Sequence, residues 1–443
     1  NVAGNVTGTT TVNSITATAG SGIRIANSGS TAGAIIANTV QAKSTGIDVG
    51  GSATSISSST SITSTNGIGV RVGTDLGSLS VHDVTALSSN GIYVGHNLGG
   101  APSTITGDIQ AGSYGVYVGN NLTGSLTVSG SGASITSTAD AIHISGTNGT
   151  DGANGGIENM GALASSAGSG IAVDQGNNAA ILNYAGATIS AVKDGIAVGY
   201  LSSPMPATNA SNITNSGTID SATGNGIHVF GDNGDAVGNA AIIRNFGTIT
   251  AAAGNGIRVD GDNRLGAYNV GSIGTEVDGV ITRVGGSGIS VGGDNANGAF
   301  TARIENSGEI YAEGYGLHLG GDNYGGTITN TGALDANAGG IFVGGANTGT
   351  ITNGTGATIL TSSGSASGIR VVGNNESGGG TITNAGTIGS AAAPVGDAGI
   401  RVSGTNSGSI ANSGTVYASR DAIRVGDTAD GANTGTITNT GSR

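Results

Sequence analysis

"SGSIANSGTVYASRDAIRVGD" runs from Ser407 to Asp427, and nearly the same phrase stands at Ile213–Asn233, "ITNSGTIDSATGNGIHVFGDN", and at Ala302–Asn323, "ARIENSGEIYAEGYGLHLGGDN". Each copy ends on a tetrad of a small residue, an apolar residue, any residue and a second apolar residue. The tetrad begins at Gly22, Gly46, Gly69, Gly91, Gly115, Ala141, Gly170, Gly195, Gly226, Gly256, Gly288, Gly316, Gly340, Gly368, Gly399 and Ala422, sixteen copies spaced 22 to 32 residues apart. Self-similarity at such a period is the mark of a repeat architecture.

Between tetrads a second unit recurs, apolar–x–Asn–x–Gly, with its Asn at Asn159, Asn183, Asn215, Asn245, Asn269, Asn306, Asn330, Asn353, Asn384, Asn412 and Asn439. A third short run follows, as in Thr218-Ile219 and Thr387-Ile388. Alternating runs bounded by Gly, Asn, Asp and Ser read as strands and turns, and no 3.6-residue period persists, so no helix is expected. One three-strand coil cannot bury its own Ile and Val, whereas stacked coils can. The expectation is an all-β, right-handed parallel β-helix (β-solenoid) of about 16 coils, three short strands each. At about 4.8 Å per coil such a stack would run roughly 75 Å. A single continuous solenoid is expected over 1–443, less regular over 1–150 and regular with an Asn ladder over 151–443. Extra residues at Gly146–Gly156, Tyr200–Asn209, Gly274–Gly285 and Gly389–Gly396 read as edge loops.

Each repeated Asn follows an inward Ile by two positions, so it is expected to point inward and to bond to its equivalents along the stack. The Gly two residues later is expected to take a positive φ.

Composition narrows the function. The net charge of −13 argues against nucleic acid and anionic membranes as partners. No run approaches the length of a membrane-spanning helix. The chain has no Cys, so disulfides and thiol chemistry are excluded. It begins and ends in mid-pattern, as a trimmed piece of something longer would. No catalytic or metal constellation is read. Asp232, Asp262, Asp294 and Asp322, the acids of four "GDN" turns, could form a calcium file, but the favoured reading is a turn pair that tolerates left-handed backbone.

One row stands out. The third residue of the tetrad must face outward, and down the chain it reads Arg24, Asp48, Arg71, Tyr93, Tyr117, His143, Ala172, Ala197, His228, Arg258, Ser290, His318, Phe342, Arg370, Arg401 and Arg424. Six of the twelve Arg and three of the five His fall on it, so it is a candidate stripe for a ligand or partner. Arg370, Arg401 and Arg424 would stand one coil apart, which like charges resist unless an anion lies near.

The phrases at Ile213–Asn233, Ile304–Asn323 and Ile382–Asn406 resemble the repeat regions of bacterial autotransporter passengers, adhesin-like β-strand repeat surface proteins. The likeness covers roughly residues 150–443 well and 1–150 loosely. It implies passage through the outer membrane by a C-terminal β-barrel, of which this chain carries none. It also implies an extracellular or cell-surface location, anchored or released. The expected function is a non-enzymatic rod for adhesion, biofilm or spacing, its partners surface glycans or proteins of host or bacterium, or copies of itself. A filament subunit stacking end to end is the alternative, and a polysaccharide-processing enzyme a third.

Overall fold

The computed structural model describes residues 1–149, 155–199, 208–234, 241–264, 266–269, 279–296, 302–427 and 431–442, and among these it contains no helix. The chain is a parallel β-solenoid. It divides into two compact units, one of Asn1–Ala207 with Gly217–Asp220, the other of Thr208–Ser216 with Ser221–Arg443. Each unit holds eight tetrad strands in one parallel sheet, and its other strands form a second.

In the first unit the tetrads pair parallel and in register, Ile47↔Val70, Val70↔Ile92, Ile92↔Val116, Val116↔Ile142 and Ile142↔Ile171. In the second, Ile341↔Ile369 and Ile369↔Ile400 continue the same rule. All of these side chains are essentially inaccessible to solvent. Burying each contributes about 1.5–3 kcal/mol before the entropy of ordering is counted. The alternation therefore sets which face is inside, and a slip of one residue would expose the whole column.

The coil changes character along the chain. From Ser103 onward the two strands preceding each tetrad are separate, as at Thr381–Asn384 and Thr387–Ile388. In the earliest coils they are fused into single strands, Thr31–Ala42 and Ser52–Ser64, so those coils hold two strands rather than three. These runs are rich in Ser, Thr and Ala and lack the Asn-x-Gly break. Their corners are made by bulges between Ile36 and Thr39 and between Ser58 and Ser61.

The small residue opening each tetrad has a specific neighbour. A Cβ on Gly340 would strike Cγ2 of Ile359 and stand 2.6 Å from the Gly368 carbonyl oxygen. Gly368 is blocked likewise by Ile388, and Gly115 by Ile135. Where Leu replaces the β-branched residue the space opens, since over Gly316 the nearest Leu334 carbons lie at 3.1 Å.

Two turn expectations are corrected. The Gly of Asn-x-Gly does not take a positive φ: Gly332, Gly386 and Gly414 are not among the positive-φ glycines. It is required because the coil below lies too close for a side chain; a Cβ on Gly386 would lie 2.8 Å from Asn353 Nδ2, and one on Gly414 2.7 Å from the Ala385 carbonyl carbon. In the "GDN" turns the Asp and Asn themselves do not take left-handed backbone; where it occurs it falls on the next residue, Gly234 (φ 99) or Ala296 (φ 71). Of the expected edge loops, 150–154, 200–207 and 274–278 lie outside the described residues, Pro204 and Pro206 with them. At Gly389–Gly396 the chain turns through a Ser390 N–H bond to the Ala393 carbonyl and returns to the stack at Val395, which bridges to Ala418.

Candidate functional site

The outward row is a set of short ladders, most of them satisfied along the stack. In the first unit Asp48 lies between two guanidiniums, 3.4 Å from Arg24 Nε and 2.9 Å from Arg71 Nη1. The next coils carry rings. Tyr93 and Tyr117 stack at 5.3 Å and 8°, and Tyr117 and His143 at 5.3 Å and 7°. Ala172 and Ala197 follow, small and buried.

His143 is the most developed group of this unit. Its Nδ1 lies 2.8 Å from Asp140 Oδ2 and its Nε2 3.2 Å from both Asp174 Oδ2 and Ser145 Oγ. Ser145 in turn donates to the Tyr117 hydroxyl at 3.1 Å. Ser145, His143 and Asp140 thus stand in the contact order of a hydrolase triad, an arrangement that sequence spacing did not bring together. Electrostatics opposes that use. Burial alone would depress the imidazole, but hydrogen bonds to Asp140 and Asp174 and the charges of both outweigh it and raise it to about 9. At neutral pH both ring nitrogens carry protons, and neither can accept one from Ser145. Tyr114, tilted against His143 at 4.9 Å, helps line a cleft of about 300 Å³ together with Lys193.

In the second unit His228 places Nε2 3.1 Å from Asp260 Oδ2, and Arg258 Nε approaches the other oxygen at 2.5 Å. His318 and Phe342 stack at 5.2 Å and 10°, with Tyr315 tilted against Phe342 at 4.6 Å. Burial lowers the His318 pKa, and its Nδ1 meets Ser290 Oγ at 3.2 Å. Arg370 follows, its guanidinium carbon 5.9 Å from the Phe342 ring centre. The anions between the last arginines belong to the protein. Arg401 reaches Asp397 at 2.5 Å and Asp427 at 2.6 Å, and Arg424 reaches Asp427 at 2.9 Å and Asp397 at 3.6 Å.

The "GDN" acids form a file with a different task. Oδ1 of Asp232 accepts the backbone N–H of Asp262, Asp262 that of Asp294, Asp294 that of Asp322, and Asp322 that of Ala346, at 2.6 to 2.9 Å. Arg264 reaches the other oxygen of Asp232 at 2.7 Å. Among the described residues no three acids or histidines gather into a cation cage.

Asparagine supplies two buried columns. In the first, Asn159 donates to Asn183, Asn215 to Asn245, and Asn306, Asn330, Asn353, Asn384 and Asn412 each to the next in order, ending on Asn439, at 2.7 to 2.9 Å. Asn269 keeps the backbone register between Asn245 and Asn306; its side chain lies outside what is described. The second column was missed in the sequence. It uses the Asn of the "GDN" turns and their variants: Asn209, Asn233, Asn263, Asn295, Asn323, Asn347, Asn375, Asn406 and Asn433 are joined at 2.7 to 3.0 Å. The signal was present, an Asn four residues past the last apolar residue of most tetrads from Ala141 onward. Toward the N-terminus both columns turn aliphatic, at Val128 opposite Asn159 and at Leu122 opposite Asn148.

No protein family, curated relative or solved structure matches the chain.

Proposed function

We propose that the chain is a non-enzymatic, surface-exposed or secreted repeat protein serving adhesion, biofilm formation or spacing, in the manner of the passenger repeats it resembles. The observation that carries this reading is the double Asn column of the second unit. There, wherever both side chains are described, adjacent coils are tied through two hydrogen bonds between side-chain amides as well as through the backbone. Such redundancy resists separation of coils along the stack, which a load-bearing spacer requires and a small-molecule site does not. The outward row fits the same role, because most of its charges and rings are spent on one another.

Display of the chain on a non-adherent bacterium tests it. Attachment to abiotic and glycan-coated surfaces, and retained biomass, should rise several-fold over a strain displaying an unrelated β-rich protein. Equal attachment would reject the reading. Release of reducing ends or unsaturated products from anionic polysaccharides by the purified protein would favour the enzyme instead.

A further inference from the structure

On the outward row, Arg24, Arg71, Arg258, Arg401 and Arg424 all have a carboxylate within 4 Å. Arg370 has none among the described residues. Its guanidinium lies against the Phe342 ring, and its Nε is buried with no hydrogen-bond partner. That Nε is enclosed, so an incoming anion would meet the Nη groups of the half-exposed guanidinium, whose charge no carboxylate among the described residues offsets. Its neighbour one coil on is Arg401, already held by Asp397 and Asp427. Three guanidiniums, those of Arg401, Arg420 and Arg424, share these two carboxylates, and Arg370 adds a fourth positive charge that neither reaches. The exposed Asp421 makes no ion pair among the described residues, and counting it still leaves the patch positive in a chain of net charge −13.

On the other side the patch is aromatic. Phe342 is flanked by His318 and by Tyr315, whose ring passes over Gly339, where a Cβ would stand 3.1 Å from it. Apolar ring edges beside an unpaired planar guanidinium suit a ligand with both a hydrophobic sugar face and an anionic group.

We propose that Arg370, with Phe342 and Tyr315, forms a binding site for the carboxylate-bearing sugars of an acidic polysaccharide. The carboxylate takes the Nη groups of Arg370 and the sugar ring lies against the Phe342 and Tyr315 edges. The inference deepens the adhesive reading by naming a ligand class, and it is tested on purified protein, so failure of surface attachment and failure of this site are separate results.

The experiment measures binding of the full chain to immobilised polygalacturonate, with dextran sulfate and neutral dextran as parallel arms. Polygalacturonate should bind, neutral dextran should not, and added salt should weaken the interaction. R370S should weaken polygalacturonate binding at least tenfold with an unchanged melting curve. R370K, which keeps the charge but loses the fork, should recover only part of it. R24S, in the balanced Arg24–Asp48–Arg71 ladder, should bind as the parent does. Binding to neither anionic polymer overturns the proposal. So does R370S binding within twofold of the parent, or equal loss in R24S. Preference for dextran sulfate, abolished by R370S, overturns the carboxylate assignment.

Discussion

Nε2 of His143 lies 3.2 Å from Oδ2 of Asp174, while Nδ1 of the same ring is held at 2.8 Å by Asp140. The second oxygen of Asp174 is buried and unbonded, so the imidazolium is what makes this carboxylate tolerable there. The pKa of about 9 lies above the ordinary 6.5. A folded-state pKa raised in this way stabilises fully below pH 6.5, and the stabilisation is lost as pH rises toward 9. The parent should melt lower at pH 9.5 than at pH 6, by an amount of the order of 3 kcal/mol. D174N should bring the His143 titration, followed by NMR, down by more than one unit and flatten the melting profile. A His143 resonance titrating near 6.5 in the parent would contradict this.

The steric pairing of Gly340 with Ile359 predicts a compensating pair. G340A drives its Cβ into Cγ2 of Ile359 and should cost about 1–3 kcal/mol. I359L removes the branch, as Leu334 does over Gly316. G340A/I359L should be more stable than the sum of the single changes in a double-mutant cycle by urea unfolding. Additivity would show that the clash is not what excludes alanine.

Asn353 accepts from Asn330 at 2.9 Å and donates to Asn384 at 2.7 Å. N353A removes the donor to the buried Asn384 side-chain carbonyl, at about 1–3 kcal/mol, while the Asn330 amide keeps its bonds to the Gly332 and Thr358 carbonyls. N439A, at the exposed last member of the column, should cost less than about 1 kcal/mol, because only the bond from Asn412 is lost. Equal effects in chemical unfolding would mean that the column contributes nothing beyond packing.

The acids of the "GDN" file spend one oxygen on the next coil's backbone. D294A frees the Asp322 N–H and should cost about 1 kcal/mol. Millimolar calcium, or its removal by chelator, should leave the melting curve where it is. A calcium-dependent upward shift lost in D294A would instead show a cation file.

The alternation of Ile and Val was enough to choose a stacked-strand fold. That choice is local, because a period of two with turn residues between runs leaves no way to bury the aliphatic set except against another copy. The first Asn column was also legible, since its offset from an inward Ile fixes the side on which it points. The second column was not. "GDN" reads as generic turn chemistry until the coil closes and brings Asn323 within 2.7 Å of Asn347, twenty-four residues on. The glycines of Asn-x-Gly were recognised as obligatory but for the wrong cause. Backbone dihedral preference is a property of one residue, whereas the contact that forbids their Cβ comes from the preceding coil.

The outward row shows the division most clearly. Sequence alone established that Arg24, Tyr93, His143, Phe342, Arg370, Arg401 and their equivalents share one file, because register follows from the period. It could not say which of them are spent. Asp140, Asp174, Asp397 and Asp427 lie in turns, and where a turn carboxylate points depends on how adjacent coils stack. Only the three-dimensional packing neutralised Arg401 and Arg424, held His143 protonated and left Arg370 without a carboxylate, because electrostatic pairing falls off over a few ångströms that no spacing along the chain can measure.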